Sequence, residues 1–220
     1  MFKIIHDLTY HLCPEKAQRQ LRLIPTRTLK TSFANEFALD IHSHIGTHIE
    51  GPYHCLEGGK KLDELPIEKF IGEAVVVDLT RKTKGNREIT KHDLQVSGNQ
   101  IKEGDIVLLK TGYDKQFDNE QLQSEEYMSN SLYLSDEAID WLIEQRIKNL
   151  GIDFWSIERY PIDPKLGEPK HIRLFKEDIP LIHSLVNLVY IKSPRVFFIA
   201  LPLFISGLDS SPVRAVAIEF

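Results

Sequence analysis

The sequence predicts a mixed α/β fold, rich in strands and with a few helices, that forms a single domain over residues 1–220. Several apolar runs have the β-branched density of buried strands, and GEAVVVDL at Gly72–Leu79 is the clearest of them. A capped amphipathic run at Asp136–Leu150 leads directly into another strand-like run, as in half of a crossover unit. No linker, repeat or low-complexity tract divides the chain, and its length suits one domain.

The predicted strands are distributed along the whole chain. The segment Phe37–His42 alternates between apolar and polar residues, which is typical of a half-exposed strand. The other runs are nearly continuous in apolar residues, which is typical of strands buried on both faces. These runs are Gly72–Leu79, Asp105–Lys110, Ile152–Ile157, Val196–Leu203 and Val213–Ile218. The polar stretches 113–131 and 160–170 are expected to be long loops.

Three helices are predicted between these strands. The clearest covers Asp136–Leu150, because the Ser135 hydroxyl can accept an unpaired backbone N–H at its start and Gly151 follows as a terminator. One face of this helix is apolar and consists of Ile139, Leu142, Ile143 and Ile147. A shorter helix is expected over Thr90–Gln95, with its first residue as the cap, and a third helix is expected after Lys170.

The composition indicates a globular protein rather than a nucleic-acid-binding or membrane protein. The formal net charge is -5 and the sequence pI is about 6.0, which argues against a nucleic acid partner. The densest apolar stretch, Val196–Ile205, is half as long as a bilayer span and contains Pro202. The N-terminal run has no secretory apolar region, and Cys13 and Cys55 are too few for a disulfide framework. We therefore expect a cytoplasmic protein without a membrane or nucleic acid partner.

The most informative segment is a histidine-rich window that reads His44-Ile-Gly-Thr-His48-Ile-Glu50-Gly-Pro-Tyr-His54. It offers three imidazoles and one carboxylate, which are usual ligands of zinc, manganese or iron. The glycines and the proline within the window exclude a regular helix. We expect instead a strand edge that bends into a turn, with a bulge permitted at Gly46 and with His48 and Glu50 on one side of an extended segment.

A single histidine is more often an ordinary surface or core residue than a metal ligand. Three histidines and a carboxylate at this spacing favour a metal site instead.

Tyr53, Trp155 and Phe33 are candidates to stack against an aromatic substrate, although most aromatic side chains belong to the core. Cys55 is expected to be a small buried side chain rather than a ligand.

The window resembles the signature of the cyclase family of metal-dependent hydrolases, His-x-Gly-Thr-His-x-Asp-x-Pro-x-His, a family that includes bacterial kynurenine formamidases and isatin hydrolases. The resemblance extends along the chain. The opening run IIHDLTYHL is similar to the family's Asp-Leu-Thr strand. The run GIDFWSIE at Gly151–Glu158 is similar to its Gly-x-Asp-x-x-Ser-x-Asp segment, and ALPLFISGLDSSPVRAVAI at Ala200–Ile218 resembles its closing segment.

The resemblance implies a swivelling β/β/α fold and a homodimer or homotetramer. It implies that the main metal, zinc or manganese, is bound by His44, His48 and the carboxylate at position 50. It also implies that His54 is the catalytic acid/base or a ligand of a second metal, to which His171 would contribute. Such a site leaves open positions for a water and a substrate carbonyl, and that water loses a proton to an imidazole near neutral pH.

The sequence departs from the family pattern at two positions. The aspartate of the signature is Glu50 here, which is one methylene longer but retains a carboxylate. A downstream carboxylate of the formamidases corresponds to His183 in LIHSLVNL, so an imidazole replaces a negative charge there. We therefore predict one firmly bound metal and a weaker second position, for which His183 is a further candidate ligand.

The predicted activity is the hydrolysis of an amide by metal-activated water, with His54 as acid/base and a small molecule such as an N-formylkynurenine-like aryl formamide as substrate. One alternative is a hydrolase of a cyclic amide or ester such as isatin, because the motifs do not describe the substrate pocket. The other is a non-catalytic metal-binding protein, which the changes at Glu50 and His183 favour. His54 argues against that alternative, since a structural site needs no spare imidazole at an open position.

Overall fold

The structure is a computed structural model that describes residues 4–82, 86–98, 100–118, 121–122 and 124–220. Its strands are β1 (Ile4–Asp7), β2 (Leu21–Arg27), β3 (Glu36–Ile41), β4 (His48–Glu50), β5 (Ile71–Asp78), β6 (Glu88–Ile89), β7 (Ile106–Lys110), β8 (Tyr133–Leu134), β9 (Asn149–Ile152), β10 (Leu181–His183), β11 (Arg195–Ile199), β12 (Ser210–Pro212) and β13 (Val216–Glu219). Its α-helices are α1 (Lys91–Ser97), α2 (Glu125–Ser129), α3 (Asp136–Glu144) and α4 (Pro169–Lys176). Among the described residues, no helix combines the length and the apolar character that a bilayer crossing needs.

A nine-stranded mixed sheet forms the centre of the fold, in the order β1-β13-β11-β5-β7-β9-β10-β4-β12. Its central strands β5, β7, β9 and β10 are parallel, and the outer strands on both sides are antiparallel to their neighbours. Parallel neighbours need crossover connections, and α1, α3 and α4 lie in the three connections between these central strands. The predicted mixed α/β fold with a few helices is confirmed.

The sheet separates two cores. Because side chains alternate between the faces of a strand, β5 contributes Val75 to one core and Val76 to the other. The first core lies beneath the helices and includes Leu142 of α3. The second core joins Ile49 of β4 to Phe198 of β11, although these strands lie near opposite ends of the strand order. The sheet therefore curls around this second core.

Local signals placed the starts of α1 and α3 correctly. The Thr90 hydroxyl accepts the backbone N–H of Asp93, whose carboxylate accepts the backbone N–H of Thr90, so a reciprocal cap begins α1. The Ser135 hydroxyl caps α3 as predicted, by accepting the backbone N–H of Ala138. The third predicted helix is α4, which begins at Pro169. The stretch 113–131, predicted as a loop, contains α2.

Several predicted boundaries are wrong. The strand predicted over Val196–Leu203 is β11, which ends at Ile199, and the strand predicted over Val213–Ile218 is β13, which begins at Val216. Helix α3 ends at Glu144 rather than Leu150, and the strand predicted over Ile152–Ile157 is instead β9, Asn149–Ile152. Parallel pairing of β9 with both β7 and β10 explains the early end of α3, because it takes the last predicted helical residues into the sheet. The chain then leaves the sheet at Asp153, whose buried carboxylate accepts backbone N–H groups that follow β7.

Strands β2 and β3 form an antiparallel hairpin that is separate from the nine-stranded sheet. The strand predicted over Phe37–His42 is part of it, but it is exposed rather than half-exposed. The hairpin leaves the main part of the fold just after Arg19, and the chain rejoins it just before His44. Its exposed large apolar side chains are Leu23, Ile24, Leu29, Phe33, Phe37 and Leu39.

Candidate metal centre

One cavity of about 580 Å³ is lined by all six of the predicted site residues. The sequence brings them from separate parts of the fold. His44 lies in the turn before β4, His48 and Glu50 lie in β4, His54 ends the 3₁₀ turn Pro52–His54, His171 lies in α4, and His183 ends β10. The structure therefore brings together the six residues predicted from the motif and from two distant histidines. Their roles as metal ligands stay predictions.

The local path of the chain explains how β4 presents its two predicted ligands. His48 and Glu50 are two residues apart in a strand, so their side chains face the same side, as the even spacing predicted. Gly46 has a φ of 60°, and a Cβ there would lie 2.8 Å from the Leu12 side chain, so this turn requires glycine. The turn brings the His44 ring beside that of His48, with 5.3 Å between their centroids.

The Glu50 carboxylate is the centre of the cluster and is 5% exposed. Its Oε1 lies 2.7 Å from His44 Nδ1 and 3.2 Å from His48 Nε2. Its Oε2 lies 3.1 Å from His183 Nε2 and 3.7 Å from His171 Nε2. Two sets of three potential ligands therefore share this one carboxylate, with His44 and His48 on one side and His171 and His183 on the other.

The outer nitrogens of two of these imidazoles are already engaged. His48 Nδ1 lies 2.8 Å from the carbonyl oxygen of Gly46, and His183 Nδ1 lies 2.8 Å from that of Trp155. A carbonyl oxygen only accepts, so both Nδ1 atoms carry a proton, and in their neutral forms both rings would face the Glu50 carboxylate with an Nε2 lone pair. Such a lone pair and the anionic carboxylate repel each other unless a cation lies between them. The donor set therefore fits a divalent metal ion.

The protonation states of the cluster agree with this assignment. Burial lowers the pKa of His48 to about 4, even though Glu50 is close, so the imidazole is neutral at neutral pH. Burial opposes ionisation of Glu50, but His183, together with His44 and His48, outweighs it and holds the pKa of this carboxyl well below its usual range. A neutral imidazole beside an ionised carboxylate is the combination that binding of a divalent metal requires.

His54 lies between two further carboxylates. Its Nδ1 is 3.1 Å from Asp209 Oδ2, and its Nε2 is 3.1 Å from Glu168 Oε2. Burial disfavours the imidazolium, but hydrogen bonds with Asp209 and Glu168 raise the pKa of His54 to about 12. Burial likewise opposes ionisation of Glu168, but its hydrogen bond to His54 lowers its pKa to about 2. The site thus concentrates negative charge and holds a proton at His54.

Sequence reasoning missed both Asp209 and Glu168 as site residues. Asp209 lies in the run Ala200–Ile218 that carried the family resemblance, but nothing local shows that it reaches the histidines. Glu168 precedes His171 by three residues at the start of α4, a spacing that places two side chains near one helical face and could have indicated it. Cys55 is half-buried, and its thiol lies 3.2 Å from Glu168 Oε2.

The three aromatic candidates differ in position. Trp155 lines the cavity, next to His183. Tyr53 and Phe33 are not among the described residues that line it, and Phe33 is 86% exposed in the hairpin. Within one chain, Trp155 is therefore the aromatic candidate that the structure places at the site.

Residues 6–159 match the family model Cyclase, described as "Putative cyclase". The chain belongs to the cyclase family. It is 31% identical over 179 residues to the kynurenine formamidase of Bacillus thuringiensis (strain Al Hakam), a match that covers 81% of this chain and 77% of that relative. It is also 31% identical over 185 residues to the kynurenine formamidase of Salinibacter ruber (strain DSM 13855 / M31), which covers 84% and 80% of the two chains.

Solved structures agree with this membership. One described as a "potential metal-dependent hydrolase with cyclase activity" has a TM-score of 0.76 and 28% identity, and the match covers 99% of this chain and 98% of that one. An isatin hydrolase bound to the product analogue thioisatinate has a TM-score of 0.81 over 98% and 92% of the two chains, and at 20% identity it shows the fold alone. The predicted fold class and the predicted metal-dependent amide hydrolase are confirmed. The single domain over residues 1–220 stays a prediction.

Proposed function

We propose that this cyclase-family enzyme hydrolyses an aryl formamide of the N-formylkynurenine type, with zinc or manganese bound by His44, His48 and Glu50. The observation that carries the proposal is the convergence of this donor set with His54 in one cavity. The relatives named kynurenine formamidase, at 31% identity, support the choice of substrate class.

Two nitrogens and one carboxylate oxygen suit zinc and manganese equally well. When bound, the ion supplies Lewis acidity towards the substrate carbonyl and lowers the pKa of a water molecule. The second donor set consists of Glu50, His171 and His183, all of them buried. Because two divalent cations would have to share the single Glu50 carboxylate, we propose that one ion is held firmly and that His171 and His183 form a weaker position.

His54 is the proposed acid/base. With its Nδ1 held by Asp209, its Nε2 faces the cavity beside Glu168. From this position Nε2 can accept the proton that the attacking water loses and pass it to the nitrogen of the leaving amine. A cation held by His44, His48 and Glu50 would neutralise part of the surrounding carboxylate charge, so Nε2 would release its proton more readily than in the metal-free protein.

One positive and one negative side chain in the cavity lining favour a substrate that carries an amino-acid group. Arg19 and Glu125 line the same cavity as the histidines, and neither forms an ion pair within the part of the chain that the structure describes. Trp155 adds an aromatic ring to the same lining. N-formylkynurenine offers a carboxylate, an ammonium group and an aryl ring, whereas isatin carries no charge. The lining therefore favours the formamide over the cyclic amide.

We expect the purified protein to hydrolyse N-formylkynurenine with a kcat/KM at least about tenfold above that for formanilide, because one charge-assisted contact contributes on the order of a factor of ten. Formanilide is the matched control, since it retains the aryl formamide and lacks the amino-acid group. A chelator should abolish both activities, and zinc or manganese should restore them. Opening of isatin without formamide hydrolysis would replace our proposal with the cyclic-amide alternative, and metal binding without turnover of any of these substrates would favour the non-catalytic one.

We also propose homo-oligomeric assembly and a cytoplasmic location. The β2–β3 hairpin supports the first, because an isolated two-stranded hairpin with exposed apolar side chains is marginally stable in water. The hairpin begins and ends beside cavity residues, namely Arg19 and His42. We propose that a second copy of this chain covers it in the homodimer or homotetramer.

Light scattering should therefore give a mass of two or four chains of 25.4 kDa. Substituting Leu23→Ser together with Phe33→Ser should shift the mass to that of one chain, because it removes apolar surface from the hairpin. Leu166→Ser is the matched control, since Leu166 is exposed and lies outside the hairpin. A single-chain mass for the unmodified protein at micromolar concentration would contradict the proposal.

A further inference from the structure

Asp209 precedes β12 and is fixed to the segment that carries the metal ligands. Its carbonyl oxygen accepts the backbone N–H of Gly51 at 2.9 Å. The next residue, Ser210, pairs with Glu50 across the two strands, and its hydroxyl donates to the carbonyl of Ser43 at 3.1 Å. The backbone of Asp209 therefore has a defined place next to the turn and the strand from which the site is built.

The Asp209 side chain contacts two imidazoles with one oxygen. Its Oδ2 lies 2.7 Å from His44 Nε2 and 3.1 Å from His54 Nδ1, and the two rings are 4.5 Å apart. An ionised carboxylate only accepts, so both of these nitrogens donate to it. A neutral, metal-binding His44 then has its lone pair on Nδ1, which faces Glu50 Oε1, and His54 is left with Nε2 for proton transfer.

We propose that Asp209 is a positioning residue that sets the tautomer and ring orientation of the metal ligand His44 and of the acid/base His54 together. The part that concerns His54 rests on the proposed function, and the part that concerns His44 does not. A carboxylate behind a metal-ligating imidazole typically contributes about 10- to 100-fold to metal affinity. Because one oxygen serves both rings, metal affinity and turnover should fall together when it is removed.

The test is to measure zinc affinity and steady-state kinetics for Asp209→Ala and Asp209→Asn. We expect Asp209→Ala to raise the zinc Kd, measured by competition with a chromophoric chelator, by about 10- to 100-fold. At saturating zinc its kcat should fall by at least about tenfold, with KM within about twofold of the wild-type value. Asp209→Asn keeps the shape and one accepting oxygen, so it should show smaller changes in the same direction.

The matched control is Asp63→Asn. The Asp63 carboxylate anchors the same loop by accepting the backbone N–H of Gly207 at 3.1 Å, and among the described residues it forms no ion pair with a histidine. The Asp63→Asn variant should retain the wild-type zinc Kd and kcat. A zinc Kd within twofold of wild type for Asp209→Ala would overturn the inference, and so would an unchanged kcat at saturating zinc. If the wild-type protein does not hydrolyse the formamide, the proposed function fails, and the zinc measurement still decides the role of Asp209 towards His44.

A spectroscopic measurement distinguishes a role of Asp209 in positioning the imidazoles from a role in anchoring the loop that carries it. In zinc-loaded protein with ¹⁵N-labelled histidine, the ring nitrogens report which atom carries the proton. We expect His54 to be protonated at Nδ1 in the wild-type and Asp63→Asn proteins and to lose this preference in Asp209→Ala. Asp209→Asn, which keeps one accepting oxygen, should lose it in part. An unchanged tautomer in Asp209→Asn and in Asp209→Ala would count against the inference.

Discussion

Replacing His54 with Ala should lower kcat for the formamide by at least about a hundredfold, because a positioned acid/base contributes roughly 10²- to 10⁴-fold. Metal content should stay at the wild-type level. The nearest approach of His54 to Glu50 is 4.0 Å, and the His44, His48 and Glu50 donor set does not include it. Elemental analysis and steady-state kinetics on the same preparation measure both quantities.

The control for this variant is His92→Ala, since His92 is an exposed histidine of α1 that lies away from the metal cluster. It should retain both metal and turnover. An unchanged kcat in His54→Ala would remove the proposed acid/base role. Loss of the metal together with turnover would show that His54 is a ligand, the other role that the family resemblance implied.

Replacing Glu50 with Gln should weaken zinc binding by at least about a hundredfold and abolish turnover, because the substitution removes the only carboxylate shared by both donor sets. The size of the side chain is preserved, so a loss of binding reports the missing charge rather than a cavity. Titration with zinc against a competing chelator gives the affinity, and circular dichroism shows whether the fold is retained.

The matched variant is Glu50→Asp, which keeps the charge and restores the residue type of the family signature. It should bind zinc and retain turnover to a far greater extent than Glu50→Gln. Zinc binding by Glu50→Gln as tight as that of the wild-type protein would mean that the metal is held elsewhere, for example by His44, His54 and Asp209, which also form a possible ligand group.

The parts of the site that are local in sequence were predictable. His44, His48 and Glu50 lie within seven residues, and a turn followed by a strand is enough to bring them together. Asp209 and Glu168 were not predictable in this way, because pairing of β12 with β4 and packing of α4 bring them to the histidines. The end of α3 was misjudged for a related reason, since parallel pairing of β9 outweighed the helical pattern.

These missed carboxylates bear on the charge of the site. From the sequence, the presence of His183 in place of a carboxylate indicated a loss of negative charge and a weak second metal position. The structure adds Glu168 and Asp209 around His54, and these partly replace that charge. Both contact His54, and neither belongs to the group formed by Glu50, His171 and His183, so they do not complete that second donor set.

The number of metal ions per chain tests the central claim most directly. It should be measured by elemental analysis of protein purified without an affinity tag, alongside a His48→Ala variant. We expect about one zinc or manganese per chain in the wild-type protein, removed by a chelator together with turnover, and a large loss of that metal in His48→Ala. A wild-type protein that holds no metal after reconstitution, or a His48→Ala variant that keeps its metal in full, would contradict the assignment of the ion to His44, His48 and Glu50.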